Sequence, residues 1–181
     1  MITETEFETL RFPIGKFVAP AVYTEALLQE RKESIRDLPI QLRAEVSQLN
    51  EEQLNTPYRP EGWTIKQVVH HLADSHMNGF TRLKLALCED KPTIKPYPEA
   101  LFAEMPDYKM SVDISLSLLE AIHSRWFNIL LSLKEPDLER SYIHPQYGKE
   151  VSIKQFICSY AWHGEHHLAH ITSLKERQGW K

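Results

Sequence analysis

Residues 152–179, SIKQFICSYAWHGEHHLAHITSLKERQG, have the spacing of one long amphipathic helix. Ser152, followed three positions later by Gln155, predicts a capping box at its start, and we expect the helix to end near Gly179. Steps of three and four residues trace one mostly apolar stripe, formed by Phe156, Tyr160, His163, His167, Ile171 and Leu174. Because an apolar stripe faces the interior, we expect His163 and His167 to point inward.

Three more helical patterns precede this one, at residues 24–50, 64–87 and 111–133. Pro39 predicts a kink or a break in the first pattern, whereas Thr64 and Gln67 predict a capping box for the second. Four long helices joined by one long connection and otherwise modest loops predict an all-α fold, specifically a four-helix bundle. Metal sites in such bundles are commonly built from side chains on facing helices.

The connecting segments are marked by prolines and glycines. Residues 1–20 show no helical period and predict an irregular N-terminal arm, and residues 89–106 predict a long crossing loop with one helical turn near residues 99–102. Residues 142–151 predict either a small hairpin or an irregular loop. A chain of 181 residues is a suitable size for one domain, so we expect residues 1–181 to form a single domain.

Composition excludes several classes of protein. Lys and Arg total 21 against 25 for Asp and Glu, and the basic residues are scattered, which argues against a nucleic-acid partner. No apolar run approaches the length of a membrane-spanning helix, and the acidic start MITETEFETL does not resemble a secretory signal. Cys88 and Cys158 are far apart in sequence and predict reduced core thiols. These features together predict a cytoplasmic protein.

The nine histidines are concentrated in two segments, HHLADSH at residues 70–76 and HGEHHLAH at residues 163–170. His163 and His167 are four residues apart, so they lie one turn apart on the same helix face, as chelation by two imidazoles requires. A single core histidine is usually explained by a hydrogen bond to a carbonyl or carboxylate. Two histidine clusters on separate helices favour a metal site instead.

The helical period does not identify the third ligand. The apolar stripe of the second predicted helix has His76 nearest its centre, whereas His70 and His71 fall towards opposite margins. Spacing alone would therefore favour His76 and leaves His71 open.

Longer stretches of the sequence resemble a known family. GWTIKQVVHHLADSHMN at residues 62–78 and SYAWHGEHHLAHI at residues 159–171 are similar to the DinB/YfiT superfamily, specifically to the YfiT branch of metal-dependent hydrolases. The resemblance extends from Pro-Ile-Gly at residues 13–15, through TPYRPEGW at 56–63 and Tyr-Ile-His-Pro at 142–145, to the final Gly-Trp. It therefore covers nearly the whole chain.

The resemblance implies which histidines bind the metal. The first ligand in this superfamily is the histidine that precedes a leucine in the second helix, which corresponds to His71 before Leu72. The other two come from a His-x-x-x-His pattern in the last helix, which corresponds to His163 and His167. Members are four-helix bundles, often homodimers, in which water completes the shell of the metal.

Three neutral ligands suit a catalytic zinc or nickel better than a structural one, because structural zinc usually takes four protein ligands. A metal held this way can activate water, which predicts a metal-dependent hydrolase acting on a small-molecule substrate. The resemblance also implies an alternative, a metal-dependent thiol S-transferase of the bacillithiol type. A non-catalytic metal-binding protein is a third possibility.

The sequence does not identify a general base. A zincin needs a glutamate directly after the first histidine of the pair, and Gly164 occupies that position. Glu165 is expected to be solvated or to pair with another helix, with a role as base or as support for a metal ligand as the alternative. Asp74, Asn78 and His76 are either groups that orient a ligand or contact substrate, or ordinary polar residues of the helix. Four loop residues are candidates for the rim of a substrate pocket: Arg59, Trp63, Tyr142 and His144. Two other histidines are expected to face a partner helix or solvent, or to join a dimer contact: His166 and His170.

Overall fold

The computed structural model describes residues 3–146 and 148–180. Its helices are α1 (Glu4–Arg11), α2 (Glu25–Val46), α3 (Glu51–Leu54), α4 (Ile65–Cys88), α5 (Glu99–Phe102), α6 (Val112–Ser132), α7 (Glu135–Leu138) and α8 (Ile153–Gln178), with one 3-10 turn at Pro106–Lys109. Two strands, β1 (Ser141–His144) and β2 (Lys149–Ser152), form an antiparallel hairpin. Predictions that concern residues 1, 2, 147 and 181 lie outside the described residues.

The four long helices α2, α4, α6 and α8 form the bundle. Helix α2 packs against α6 and α8, and α4 packs against the same two helices. The all-α four-helix architecture is therefore confirmed. This arrangement places α4 beside α8, so the two histidine-rich segments face each other.

Helix starts follow the predicted capping. At α4, Thr64 accepts from the Gln67 N–H and the Gln67 side chain accepts from the Thr64 N–H, which completes the capping box. At α8, Ser152 accepts from the Gln155 N–H, so the structure shows the first of the two bonds. The left-handed backbone of Gly179 ends α8 as expected.

Some predictions for the connecting segments are wrong. Residues 1–20 are not irregular throughout, because they contain α1, whose start is stabilised by a capping box between Thr3 and Glu6. Pro39 lies inside α2, so the predicted break is wrong and the kink stays a prediction, and α2 stops at Val46 rather than near residue 50. The hairpin alternative for residues 142–151 is confirmed.

The apolar core consists of two clusters of buried side chains. On α8, residues 153–161 contribute to the first cluster, which includes Trp126, and Ile171 and Leu174 contribute to the second. The segment between them on α8 carries the histidines at residues 163–170. A histidine layer therefore separates two apolar layers of the bundle.

Within the described ranges, no helix has both the length and the apolar character needed to cross a bilayer. Neither cysteine forms a disulfide: Cys158 is buried in α8, as a core thiol should be, whereas Cys88 at the end of α4 is exposed.

Candidate metal centre

The packing of α4 against α8 brings His71, His163 and His167 together. One ring nitrogen from each residue lies within 4.8 Å of the other two. The Nε2 atoms of His71 and His163 are 3.3 Å apart. Two nitrogens bound to a tetrahedral zinc at about 2.0–2.1 Å are separated by about 3.3 Å, so this pair already has the spacing that the ion requires.

The surroundings of the three histidines are aromatic and largely shielded from water. His71 and His167 are buried, and His163 is partly buried. Trp63, in the loop before α4, lies with its ring centroid 4.6 Å from that of His71 and 6.4 Å from that of His167. In the described part of the chain, no carboxylate belongs to this cluster. The donor set therefore consists of three neutral imidazoles, which suits zinc or nickel.

His76 is not part of the cluster, although the helical period favoured it. Its side chain has no exposed surface and forms hydrogen bonds with His123 and His163. Nε2 of His76 lies 3.2 Å from Nδ1 of His163. His76 therefore lies behind His163. His70 lies on another side of α4, where its ring contacts Ser115 and the Met110 carbonyl.

Of the alternatives for His166 and His170, exposure to solvent is wrong, whereas contact with another helix is confirmed for His170, whose Nε2 lies 3.1 Å from the carbonyl oxygen of Arg11 in α1. A dimer contact stays a prediction. Both histidines are buried. His166 stacks on Trp162 with ring centroids 4.6 Å apart, and His170 stacks on Tyr58 at 3.8 Å. The loop that carries Tyr58 and the end of α1 cover this face of α8, and neither could be placed from the helical period.

The acidic and small residues near the site have structural partners. Glu165 accepts hydrogen bonds from Arg31 and Ser34 of α2, which confirms the helix-pairing alternative. A Cβ atom at Gly164 would lie 2.6 Å from a methyl carbon of Leu38, because α2 and α8 approach closely there. A larger residue at this position would therefore require the Leu38 side chain to move.

Two cavities meet at the histidine cluster. The smaller has a volume of about 340 Å³ and is lined by all three histidines, Trp63 and Arg59. The larger, about 650 Å³, contains Tyr142 and His144, so all four loop candidates line one of the two cavities. Glu99, Trp162 and His163 line both.

The larger cavity is also lined by residues that no sequence pattern had indicated. Tyr97 and Glu99 come from the crossing loop after α4, and Arg82 comes from α4 itself. The four prolines of residues 89–106 restrict the backbone of that loop, but they do not indicate that the loop packs against the site.

Asp74 and Asn78 of α4 have partners within the protein. Asp74 accepts a hydrogen bond from the Tyr108 hydroxyl, and Asn78 donates to the Asp74 carbonyl.

Burial keeps the cluster uncharged. It lowers the pKa of His71 from its usual value of 6.5 to about 4. Burial, and after it the neighbouring imidazoles, hold the pKa values of His163 and His167 well below the usual range. At neutral pH the three rings are therefore unprotonated, and protons do not compete with a metal for their lone pairs.

These shifts predict a steep loss of stability in acid. Burial also lowers the pKa of His123 to about 4, so between that pH and 6.5 the unfolded chain binds more protons than the folded chain. The unfolding free energy of the metal-free protein should be nearly level above pH 6.5 and then fall with decreasing pH, by about 1.4 kcal/mol per pH unit for each such histidine.

Urea unfolding of the metal-free protein at a series of pH values measures this slope. His71→Phe removes one of the buried imidazoles and should reduce the slope by about 1.4 kcal/mol per pH unit. An unfolding free energy that is constant across the window would show that these histidines do not have lowered pKa values.

Comparisons with known proteins give consistent results. The sequence model of the DinB superfamily matches residues 36–171. A protein of Bacillus mycoides, named "Putative metal-dependent hydrolase", is 50% identical over 171 residues, which cover 94% of this chain and 98% of that protein. A Bacillus cereus protein of the same name is 51% identical over the same shares of the two chains.

Among solved structures, YfiT from Bacillus subtilis superposes with a TM-score of 0.93 at 38% sequence identity, covering 96% of this chain and 99% of that one. That protein is described as "a probable metal-dependent hydrolase with an unusual four-helix bundle topology". The similarity includes all four long helices of the bundle, because it extends over nearly the whole of both chains.

Proposed function

Because this chain belongs to the DinB superfamily, we propose that it is a metal-dependent hydrolase of small molecules in which His71, His163 and His167 bind one zinc or nickel ion. Support comes from the approach of three neutral imidazoles to within 4.8 Å of one another, with two of their nitrogens at the separation found around zinc. Relatives at 50% identity carry the corresponding name.

Three protein ligands suit a catalytic rather than a structural ion, since they leave at least one position open. When bound, the metal would lower the pKa of a coordinated water towards neutrality and so supply a nucleophile. Trp63 lies against two of the three imidazoles, those of His71 and His167, and limits the access of bulk water on that side. His163 lines both cavities, so a substrate in the larger cavity would reach the ligands from that side.

The larger cavity has positively charged groups suited to hold a substrate. Arg82 is fixed by hydrogen bonds from Nη1 to the Tyr160 hydroxyl and from Nη2 to the Lys95 carbonyl. Lys149 lies on the same lining, whereas Glu99 brings a negative charge to the part shared with the smaller cavity. We therefore propose that Arg82 and Lys149 attract a polar or anionic group of the substrate, away from the bond that is cleaved.

The thiol S-transferase remains an alternative because it would use the same three ligands. A homodimer, a cytoplasmic location, a single domain and the choice between zinc and nickel also stay predictions from the sequence. The non-catalytic alternative is less well supported, because a cavity of about 650 Å³ adjoins the cluster.

A direct test compares the metal-free protein with zinc-loaded and nickel-loaded protein on small esters, amides and phosphoesters. We expect hydrolysis only in the loaded forms, with loss on chelation, recovery on reloading and no recovery in His71→Ala. A parallel assay supplies a low-molecular-weight thiol and an electrophile. Metal-dependent consumption of the thiol without hydrolysis would replace the hydrolase with the transferase, and inactivity of loaded protein in both assays would favour a non-catalytic metal-binding protein.

A further inference from the structure

Three buried histidines form a continuous hydrogen-bonded chain that ends at His163. His123 of α6 contacts the Ile35 carbonyl oxygen through Nδ1. Its Nε2 lies 2.8 Å from Nδ1 of His76, and Nε2 of His76 lies 3.2 Å from Nδ1 of His163. The chain therefore links α2, α6, α4 and α8 at the level of the candidate metal site.

The direction of every bond in this chain is fixed by its first member. A carbonyl oxygen only accepts, so His123 must carry its proton on Nδ1. A neutral imidazole has one N–H, so Nε2 of His123 accepts from Nδ1–H of His76. By the same reasoning, Nε2 of His76 accepts from Nδ1–H of His163. The remaining nitrogen of His163, Nε2, then holds a lone pair, and this is the atom that lies 3.3 Å from Nε2 of His71.

A second, shorter chain ends at His167. Nε2 of His170 lies 3.1 Å from the Arg11 carbonyl oxygen, so His170 carries its proton on Nε2. Nδ1 of His170 then accepts from Nδ1–H of His167 at 3.4 Å. The lone pair of His167 is thereby left on Nε2, as in His163. The end of α1 supplies this carbonyl.

We propose that His76, His123 and His170 are positioning residues that hold His163 and His167 as Nδ1–H tautomers, with both Nε2 lone pairs directed at the metal. This inference rests on the proposed metal site. It also gives roles to three histidines that are not ligands. Hydrogen bonds to the second ring nitrogen of a metal-binding histidine orient the ring and raise its basicity.

His71 differs from the other two ligands. Its Nδ1 is buried and has no hydrogen-bond partner among residues 3–146 and 148–180. Because Nε2 of His163 is an acceptor, the 3.3 Å contact in the metal-free protein requires a proton on Nε2 of His71. Metal binding must remove that proton and place one on Nδ1 of His71, with no net change in charge. Only one of the three ligands should therefore change its tautomer when metal binds.

Long-range ¹H–¹⁵N NMR of the histidine rings tests this directly, because it distinguishes the two tautomers of each ring. In the metal-free full-length protein at neutral pH, we expect Nδ1–H for His76, His123, His163 and His167, and Nε2–H for His170 and His71. Addition of zinc should move the proton of His71 to Nδ1 and leave the other tautomers unchanged. An Nε2–H tautomer at His163 or His167 in the metal-free protein would overturn the proposal.

Variants of His76 separate positioning from packing. His76→Phe keeps a ring but removes the acceptor for His163, so the affinity for zinc should fall about 10- to 100-fold. His76→Gln keeps one donor and one acceptor and should restore most of that affinity. His70→Gln changes a buried histidine of the same helix outside both chains and should bind zinc as the parent does.

Zinc affinity is measured by competition with a chromophoric chelator. Equal affinities for the parent and His76→Phe would refute the positioning role. Failure of the parent to bind zinc would refute the proposed metal site, yet the tautomers of the metal-free protein would still decide whether the two chains exist. The NMR readout on the parent also holds if a variant does not fold.

Discussion

Purified protein loaded with zinc should contain about one ion per chain, and His163→Ala should contain almost none. His163 contributes an Nε2 atom 3.3 Å from that of His71, and its ring lies between His71 and the buried His76. In His163→Ala only His71 and His167 would remain to bind the ion, and two imidazoles hold zinc much more weakly than three. His71→Ala and His167→Ala should lose the metal for the same reason, although their helical content should remain close to that of the parent.

Elemental analysis of protein purified without a histidine tag gives the metal content, and circular dichroism gives the helical content. His70→Ala is the matched control, because it removes the adjacent imidazole of α4 that bonds Ser115 and the Met110 carbonyl. It should keep the metal. Retention of metal by His71→Ala combined with its loss from His76→Ala would show that His76, and not His71, is the third ligand.

The second large effect is expected from Trp126→Ala in α6. The Trp126 side chain has no exposed surface and packs against the rings of Phe156 and Tyr160. It also contacts His76 and His123, so it supports the longer histidine chain. Replacing such a side chain leaves a cavity, and we expect the unfolding free energy to fall by about 3–5 kcal/mol.

Urea unfolding of the metal-free protein measures this loss. Leu131→Ala, in the same helix, is the control: its side chain is 58% exposed, so its change in unfolding free energy should be within about 0.5 kcal/mol. A loss of less than about 1 kcal/mol for Trp126→Ala would mean that this layer of the core repacks easily.

The long helices were predictable because their signals are local. The apolar period and the capping residues predicted the ends of α4 and α8 to within a few residues. Prolines in the connecting segments marked where one long helix ends and the next begins. The cap of α1 was equally local, since Thr3 and Glu6 satisfy each other within one turn. Helix α1 was nevertheless not predicted, because an eight-residue helix without buried side chains has almost no apolar period. Pro13 and Gly15 correctly indicate irregular structure only after it.

The candidate site was less predictable because it depends on packing between helices. Helical period finds the side chains directed at the centre of the bundle, and His76 satisfies that criterion without being in the ligand cluster. His71 lies towards the margin of α4, where α8 and Trp63 meet it. Only the family resemblance selected it. The covering of His170 by Tyr58 and Arg11 likewise needs the tertiary structure.

Anomalous diffraction from a crystal of zinc-loaded protein, recorded on both sides of the zinc absorption edge, shows directly whether the three histidines bind one ion. We expect one strong peak per chain, about 2.0–2.1 Å from Nε2 of His71, His163 and His167, with at least one further position open to solvent. A peak on His76 or His123, a peak bonded through Nδ1 of His163 or His167, or no peak at this cluster would contradict this expectation.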